Sequence, residues 1–290
     1  MRLKLLAILS ISIGCFLCFG SSVHAKAVLA IEPTRLELTL KPGETANNKL
    51  RVSNRGSKPI FVEITSQAFS VINEQYDYRF SGAEELGKWL RFKQSSVEIE
   101  PGKTVNIDYE LSVPNNAEPG GRYLAIFASV VSDEDQSNIV ARAGQMLYLT
   151  IPGNYKKDGQ FVDATVPIVV FNRNIAWSYR VRNTGNVHFY SSMEATIKTI
   201  FGNELGKTKN EHLIMPSSTK LVESSAQLPI WPGIYRLQAR IAVADKATTN
   251  ISRTILFVPI PLLLLLALIL FWLYKLFKKL KAIKGSAPPQ

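Results

Sequence analysis

An all-β protein of two tandem β-sandwiches, closed by one transmembrane α-helix, is what this sequence predicts. Three observations carry it. Apolar residues alternate with polar ones over most of the chain, as half-buried antiparallel strands require. Pro-Gly and Asn-x-Gly turns punctuate those runs at short intervals. One uncharged run, Ile255–Tyr274, is long enough to cross a bilayer. Many short strands with regular turns point to sandwiches of the immunoglobulin-like type.

The chain opens with Arg2 and Lys4, an apolar run over Leu5–Phe19, and small residues ending in Val23-His24-Ala25. A basic start, an apolar middle and an approximate A-x-A site make a secretory signal peptide over residues 1–25, with cleavage expected after Ala25 or Ala27. Both cysteines, Cys15 and Cys18, fall inside it, so their C-x-x-C spacing reads as accidental. The mature chain then holds no disulfide and no thiolate metal site, which fits a bacterial envelope.

Strand periodicity starts at Leu36, Leu38 and Leu40. It recurs at Val105–Leu111, at Trp177, Tyr179 and Val181, and over Tyr235–Val243. Tyr123–Val131 is apolar on both faces and reads as a central strand. Turns are expected at Lys41–Glu44, Glu100–Lys103, Asn54–Gly56 and Asn183–Gly185. The chain also repeats itself. Val52-Ser53-Asn54-Arg55-Gly56 resembles Val181-Arg182-Asn183-Thr184-Gly185, and Pro119-Gly120 before Tyr123 resembles Pro232-Gly233 before Tyr235. Two copies in one order mean two sandwiches of one plan, over 26–152 and 153–254, with the boundary near Pro152–Gln160.

The first copy is the longer, and its extra residues fall within Ser70–Leu90. That stretch sets Tyr76, Tyr78, Phe80 and Trp89 among charged residues, and Ala83–Trp89 suits one short helical turn. Two readings stay open. The rings stack on sugars or anchor a protein partner, or they cap the end of the core. Arg35, heading the first long strand, is a fifth ligand-binding candidate, as a clamp for a partner's carboxylate.

Catalytic chemistry is not evident. His188 and His212 sit among strand residues with no nucleophile or metal motif beside them. Asp133-Glu134-Asp135 lacks calcium-loop spacing and reads as a solvated turn. No catalytic residue, no cofactor and no metal are therefore expected. The formal charge of +11 is mostly topological. Two of the 34 Lys+Arg lie in the leader and five follow the span, leaving the exterior nearly balanced against 23 acids. Nucleic acid is not an expected partner.

Within the span, Pro259 and Pro261 lie near its start, and Trp272 and Tyr274 close it. Lys275, Lys278, Lys279, Lys281 and Lys284 follow in a tail over 275–290. Positive charge on one flank places the C-terminus in the cytoplasm and the sandwiches outside.

Two resemblances add to this. The runs Ile31–Ile64 and Trp89–Val130, with their paired Pro-Gly turns, V-x-N-x-G and a Pro-Gly-Gly loop into an apolar strand, resemble the first domain of the Gram-positive WxL-interacting proteins. The layout of leader, two sandwiches, span and basic tail is similar too. That resemblance implies a first domain binding cell-wall peptidoglycan and a second linked to host or partner-protein binding, with no family residue matched position by position. Thr34-Arg35 heading a strand, with V-x-N-x-G-S-K-P after it, is also similar to periplasmic pilus chaperones, and implies β-strand donation to a protein partner. The expected function is a non-enzymatic surface protein that binds cell-wall glycan, a secreted surface protein, or both. An accessory subunit of a membrane complex and a pilus-chaperone-like protein are the alternatives.

Overall fold

The computed structural model describes residues 29–82, 85–131, 139–244 and 247–284. The leader read over Met1–Ala25, the run Asp133–Asp135 and the last residues of the tail lie outside the described residues. Among the described residues, eighteen strands and one long apolar C-terminal helix make an all-β architecture followed by a helix.

The first domain packs two sheets face to face. One joins β1 (Leu29–Glu32), β3 (Thr45–Asn54), β8 (Thr104–Ser112) and β6 (Leu90–Phe92) in that order. The other joins β2 (Arg35–Thr39), β10 (Ile139–Ile151), β9 (Gly120–Val131), β4 (Ile60–Val71) and β5 (Tyr78–Gly82), with β7 (Ser96–Ile99) also on β4. Between the sheets lie Leu50, Val52, Ile107, Leu111, Leu124 and Leu149, all fully buried. Each such side chain contributes roughly 2–3 kcal/mol over its exposed state. The strand expected to be central, Tyr123–Val131, is flanked by β10 and β4 and is buried from Leu124 onward. At Lys41–Glu44 and Glu100–Lys103 the fourth residue's N–H donates to the first residue's carbonyl, and Gly43 and Gly102 take φ of 80° and 72°. These are the left-handed values that a Pro-Gly turn demands of its glycine.

The second domain repeats the plan with fewer strands. One sheet is β11 (Gly159–Thr165), β13 (Asn174–Asn183) and β16 (Thr219–Gln227). The other runs β12 (Val169–Val170), β18 (Ala247–Phe257), β17 (Gly233–Val243), β14 (Phe189–Thr199) and β15 (Glu204–Ile214). In both domains the opening segment starts in one sheet and finishes in the other, parallel to the domain's last strand: β2 on β10, β12 on β18. The alternation at Trp177, Tyr179 and Val181 puts all three inward, and Arg180 and Arg182 outward.

The helix α1 spans Ile260–Lys284, and its part Ile260–Lys279 is long and apolar enough to cross a membrane, with a mean hydropathy of 2.4. None of that part is buried against the sandwiches. The apolar helix therefore begins later than the span expected from Ile255. Ile255–Phe257 belongs to β18, because Ile255 and Phe257 alternate into the second core and are buried there. Pro259 ends the strand, and Pro261 stands in the first helical turn, where a missing N–H costs nothing.

Candidate functional site

The candidate site is the edge of β10. This strand pairs with β9 along its whole length, but with β2 only from Met146 to Thr150. Over Ile139–Gln145 its other side carries no strand among the described residues. The Met146 N–H donates to the Thr34 carbonyl at 2.8 Å, so Met146 faces β2. Backbone groups alternate sides along a strand, so Gly144 and Arg142 direct their N–H and C=O to the same, open side. Ile139 and Val140 at the start of the strand are 51% and 63% exposed. A shallow groove of about 440 Å³ runs beside them, lined by Lys58, Pro59, Phe61, Val130, Val131 and Val140. The surface of the strand is stiffened by Arg142, whose guanidinium lies 3.5 Å from the centre of the Phe127 ring and donates to Gln67 Oε1 at 3.0 Å. Gly144 lies under that same ring, which leaves no room for a Cβ.

Below this edge the two domains meet in a polar and aromatic junction. Tyr76, in a left-handed turn at φ 69°, sends its hydroxyl into the second domain. There it accepts the Met215 N–H at 2.8 Å and lies 2.8 Å from Ser218 Oγ. Glu74 accepts from Arg180 Nε at 2.7 Å and, through its carbonyl, from the Leu221 N–H at 2.9 Å. Phe69, Tyr76, Phe127 and Tyr148 bury their rings with Leu213 and Met215 in one small core shared by both domains. Across it, Arg35 Nη2 donates to the Tyr190 hydroxyl at 2.7 Å, and Tyr190 donates on to Glu37. Arg35 also pairs with Glu37 at 2.6 Å and lies 4.4 Å over the Tyr148 ring. The His188 N–H donates to the Tyr123 hydroxyl at 2.9 Å, and that hydroxyl lies 3.1 Å from His188 Nδ1. The hydroxyl can donate there only to a neutral ring. Burial, partly offset by Glu37, holds the His188 pKa below the usual imidazole value.

The five residues singled out in the sequence do not form one surface. Tyr76 is buried in the junction, with Lys220 Nζ 4.1 Å from its ring centre. Arg35 has its partners within the chain, Glu37 and Tyr190. Trp89 ends a short 3-10 helix (Leu86–Trp89) and packs half-buried on the first core. Tyr78 and Phe80 stay 43% and 38% exposed on β5, with Phe69 against both rings and Phe127 against Phe80. The β10 edge went unnoticed in the sequence because an unpaired edge is a relation between strands. Its only trace is a run, Ile139–Ile151, much longer than the strand at Arg35–Thr39. Among the described residues no three His, Cys, Asp or Glu side chains group as metal ligands.

No family model matches the chain, and no curated protein matches it. Solved structures do resemble it in shape. The chaperone–tip adhesin complex of CFA/I fimbriae biogenesis aligns with a TM-score of 0.40 at 11% identity, over 78% of this chain and 99% of that one. The CsuC–CsuE chaperone–tip adhesion subunit complex of Acinetobacter baumannii aligns at 0.40 and 12%, over 78% and 98%. The YadV chaperone aligns at 0.39 and 12%, over 79% and 100%.

Proposed function

We propose that this chain is a membrane-tethered, non-enzymatic protein that holds an extended segment of a secreted partner protein by strand addition along Ile139–Gln145. The observation that carries this reading is that β10 outruns β2, leaving outward backbone groups of Arg142 and Gly144 without a strand partner. A partner strand laid there gains main-chain hydrogen bonds from the outward groups of Arg142 and Gly144. The two sandwiches are immunoglobulin-like in plan and stand outside the cell, with the lysine-rich end of α1 in the cytoplasm. The junction sets the second domain firmly under the first, so the edge is presented away from the bilayer. A protein partner accords with the host or partner-protein binding implied for the second domain by the resemblance to WxL-interacting proteins, and with the resemblance to pilus chaperones. A cell-wall glycan draws less support, because Tyr76 and Trp89 are turned into packing contacts rather than set out as a stacking platform.

The test is a photo-crosslinking residue at position 140 in the full chain, expressed in its own cells. A discrete protein adduct is expected. It should be retained in Arg142→Ala, lost in Arg142→Pro, which removes an outward N–H, and absent when the probe sits at position 162. Equal adduct in the Ala and Pro variants, both shown folded by circular dichroism, overturns strand addition.

A further inference from the structure

The end of the second domain nearest α1 carries an apolar collar. Strand directions place three segments there: 166–173 before β13, which includes the two-residue β12, and the loops 200–203 between β14 and β15 and 228–232 between β16 and β17. Each lies at the end of the sheet where β18 finishes and the chain enters the helix. These segments expose Ile168 at 74%, Phe171 at 50%, Ile200 at 60%, Phe201 at 84%, Ile230 at 70% and Trp231 at 76%. A soluble domain has no reason to gather its most exposed large apolar side chains on one end. The segments contain no acidic residue. Beside them Lys198 and Arg236 are direct cross-strand neighbours, a like-charge pair that a sheet ordinarily avoids, with Glu204 on the other side of Lys198.

The joint to the helix gives no slack. Only Val258 and Pro259 separate β18 from α1, and the Val258 N–H donates to the Val170 carbonyl at 3.0 Å. The uncharged part of the helix, Ile260–Tyr274, rises only about 22 Å at 1.5 Å per residue, less than the roughly 30 Å of a bilayer's hydrocarbon. A short span is accommodated by local thinning of the bilayer and snorkelling of its flanking residues, and thinning brings the headgroups toward the residues that precede it.

We propose that this end of the second domain seats in the interfacial layer of the outer leaflet, with Trp231 and Phe201 as its anchors and Lys198 and Arg236 facing anionic headgroups. The occupant of the collar is the lipid surface itself, because the chain that leaves the collar enters the membrane. The inference rests on the reading of α1 as a span. Aromatic rings at the headgroup level and cations beside them are the side chains an interface favours. The sandwiches then stand on the bilayer as a fixed column, first domain outermost, rather than swinging from a tether.

The experiment uses the full chain with Cys15→Ala and Cys18→Ala, reconstituted in vesicles of phosphatidylcholine with a minor share of phosphatidylglycerol. Single nitroxide labels are placed through Phe201→Cys, Trp231→Cys, Leu266→Cys or Val162→Cys, one per protein, and their collision rates with oxygen and a water-soluble nickel chelate are compared. Position 266 should be lipid-buried and position 162 aqueous. Positions 201 and 231 should lie between, with an oxygen-to-nickel ratio several-fold above that at 162. Ratios at 201 and 231 equal to that at 162, with 266 still lipid-buried, overturn the collar and leave the span standing. An aqueous position 266 overturns the span and the collar with it.

Discussion

Asn54 and Asn183 make the same three hydrogen bonds in the two domains. Each ends a strand, β3 or β13, and each is buried. Asn54 Nδ2 donates to the carbonyls of Lys58 at 2.7 Å and Ile99 at 2.8 Å, while its Oδ1 accepts the Gly56 N–H at 2.9 Å. Asn183 Nδ2 donates to Val187 at 2.9 Å and Ile214 at 3.0 Å, and its Oδ1 accepts the Gly185 N–H at 2.8 Å. The side chain thus closes its own turn and ties it to a strand of the opposite sheet. The V-x-N-x-G repeat in the sequence is the trace of this device.

Asn54→Ala and Asn183→Ala are each expected to destabilise their domain by about 2–4 kcal/mol, since two carbonyls and one N–H lose their partner in a buried place. Chemical denaturation of the detergent-solubilised chain measures it. Losses under about 1 kcal/mol at both sites would show that water replaces the amide.

Tyr76→Phe removes the hydroxyl that accepts the Met215 N–H and keeps the ring. A cost of about 1–3 kcal/mol is expected, felt at the junction rather than in either core. Hydrogen exchange reads it directly: the Met215 amide should exchange faster, while amides of β9 and β17 stay protected. Unchanged exchange at Met215 would assign that protection to packing alone.

His188 is nearly buried and neutral, faced by Tyr123, Glu37, Arg35 and Lys157. Its folded pKa lies below its unfolded one, so the unfolded chain takes up the proton first as pH falls. Stability is full above about pH 6.5 and declines as pH drops below it. His188→Gln should flatten this decline, with the remainder coming from His212, whose pKa burial also lowers. Denaturation midpoints at about pH 8 and pH 5 check it. An identical pH slope in wild type and His188→Gln would clear this residue of the effect.

Tyr179 is fully buried in the second core, and its hydroxyl has no hydrogen-bond partner among the described residues. Burial raises its pKa, so the group stays neutral. Tyr179→Phe keeps the ring against Trp177 and removes an unsatisfied polar atom. The variant is expected to be neutral or more stable by up to about 1 kcal/mol in thermal melts. A loss of stability would reveal a water bound to that hydroxyl.

Much of the strand pattern was legible because it is local. Alternation at Trp177–Val181 and at Tyr235–Val243 reports which side chains face inward, whatever the strands' neighbours. The Pro-Gly turns at Gly43 and Gly102 were legible for the same reason: their dihedrals are set within four residues. The helix start was misplaced because composition alone does not separate a buried strand end, Ile255–Phe257, from the apolar helix that follows it.

By itself, then, the sequence determined the all-β character, the turns, the twin asparagine motifs and the apolar terminal helix, all properties of short windows in which backbone preference and side-chain period agree. Tertiary structure alone decided that Tyr76 and Arg35 bind the second domain, that β10 outruns β2, and that distant segments bring Ile168, Phe201 and Trp231 to the end of the second domain where β18 finishes. Each of these depends on which strands pair and how far, and pairing is set by the packing of residues far apart in the chain.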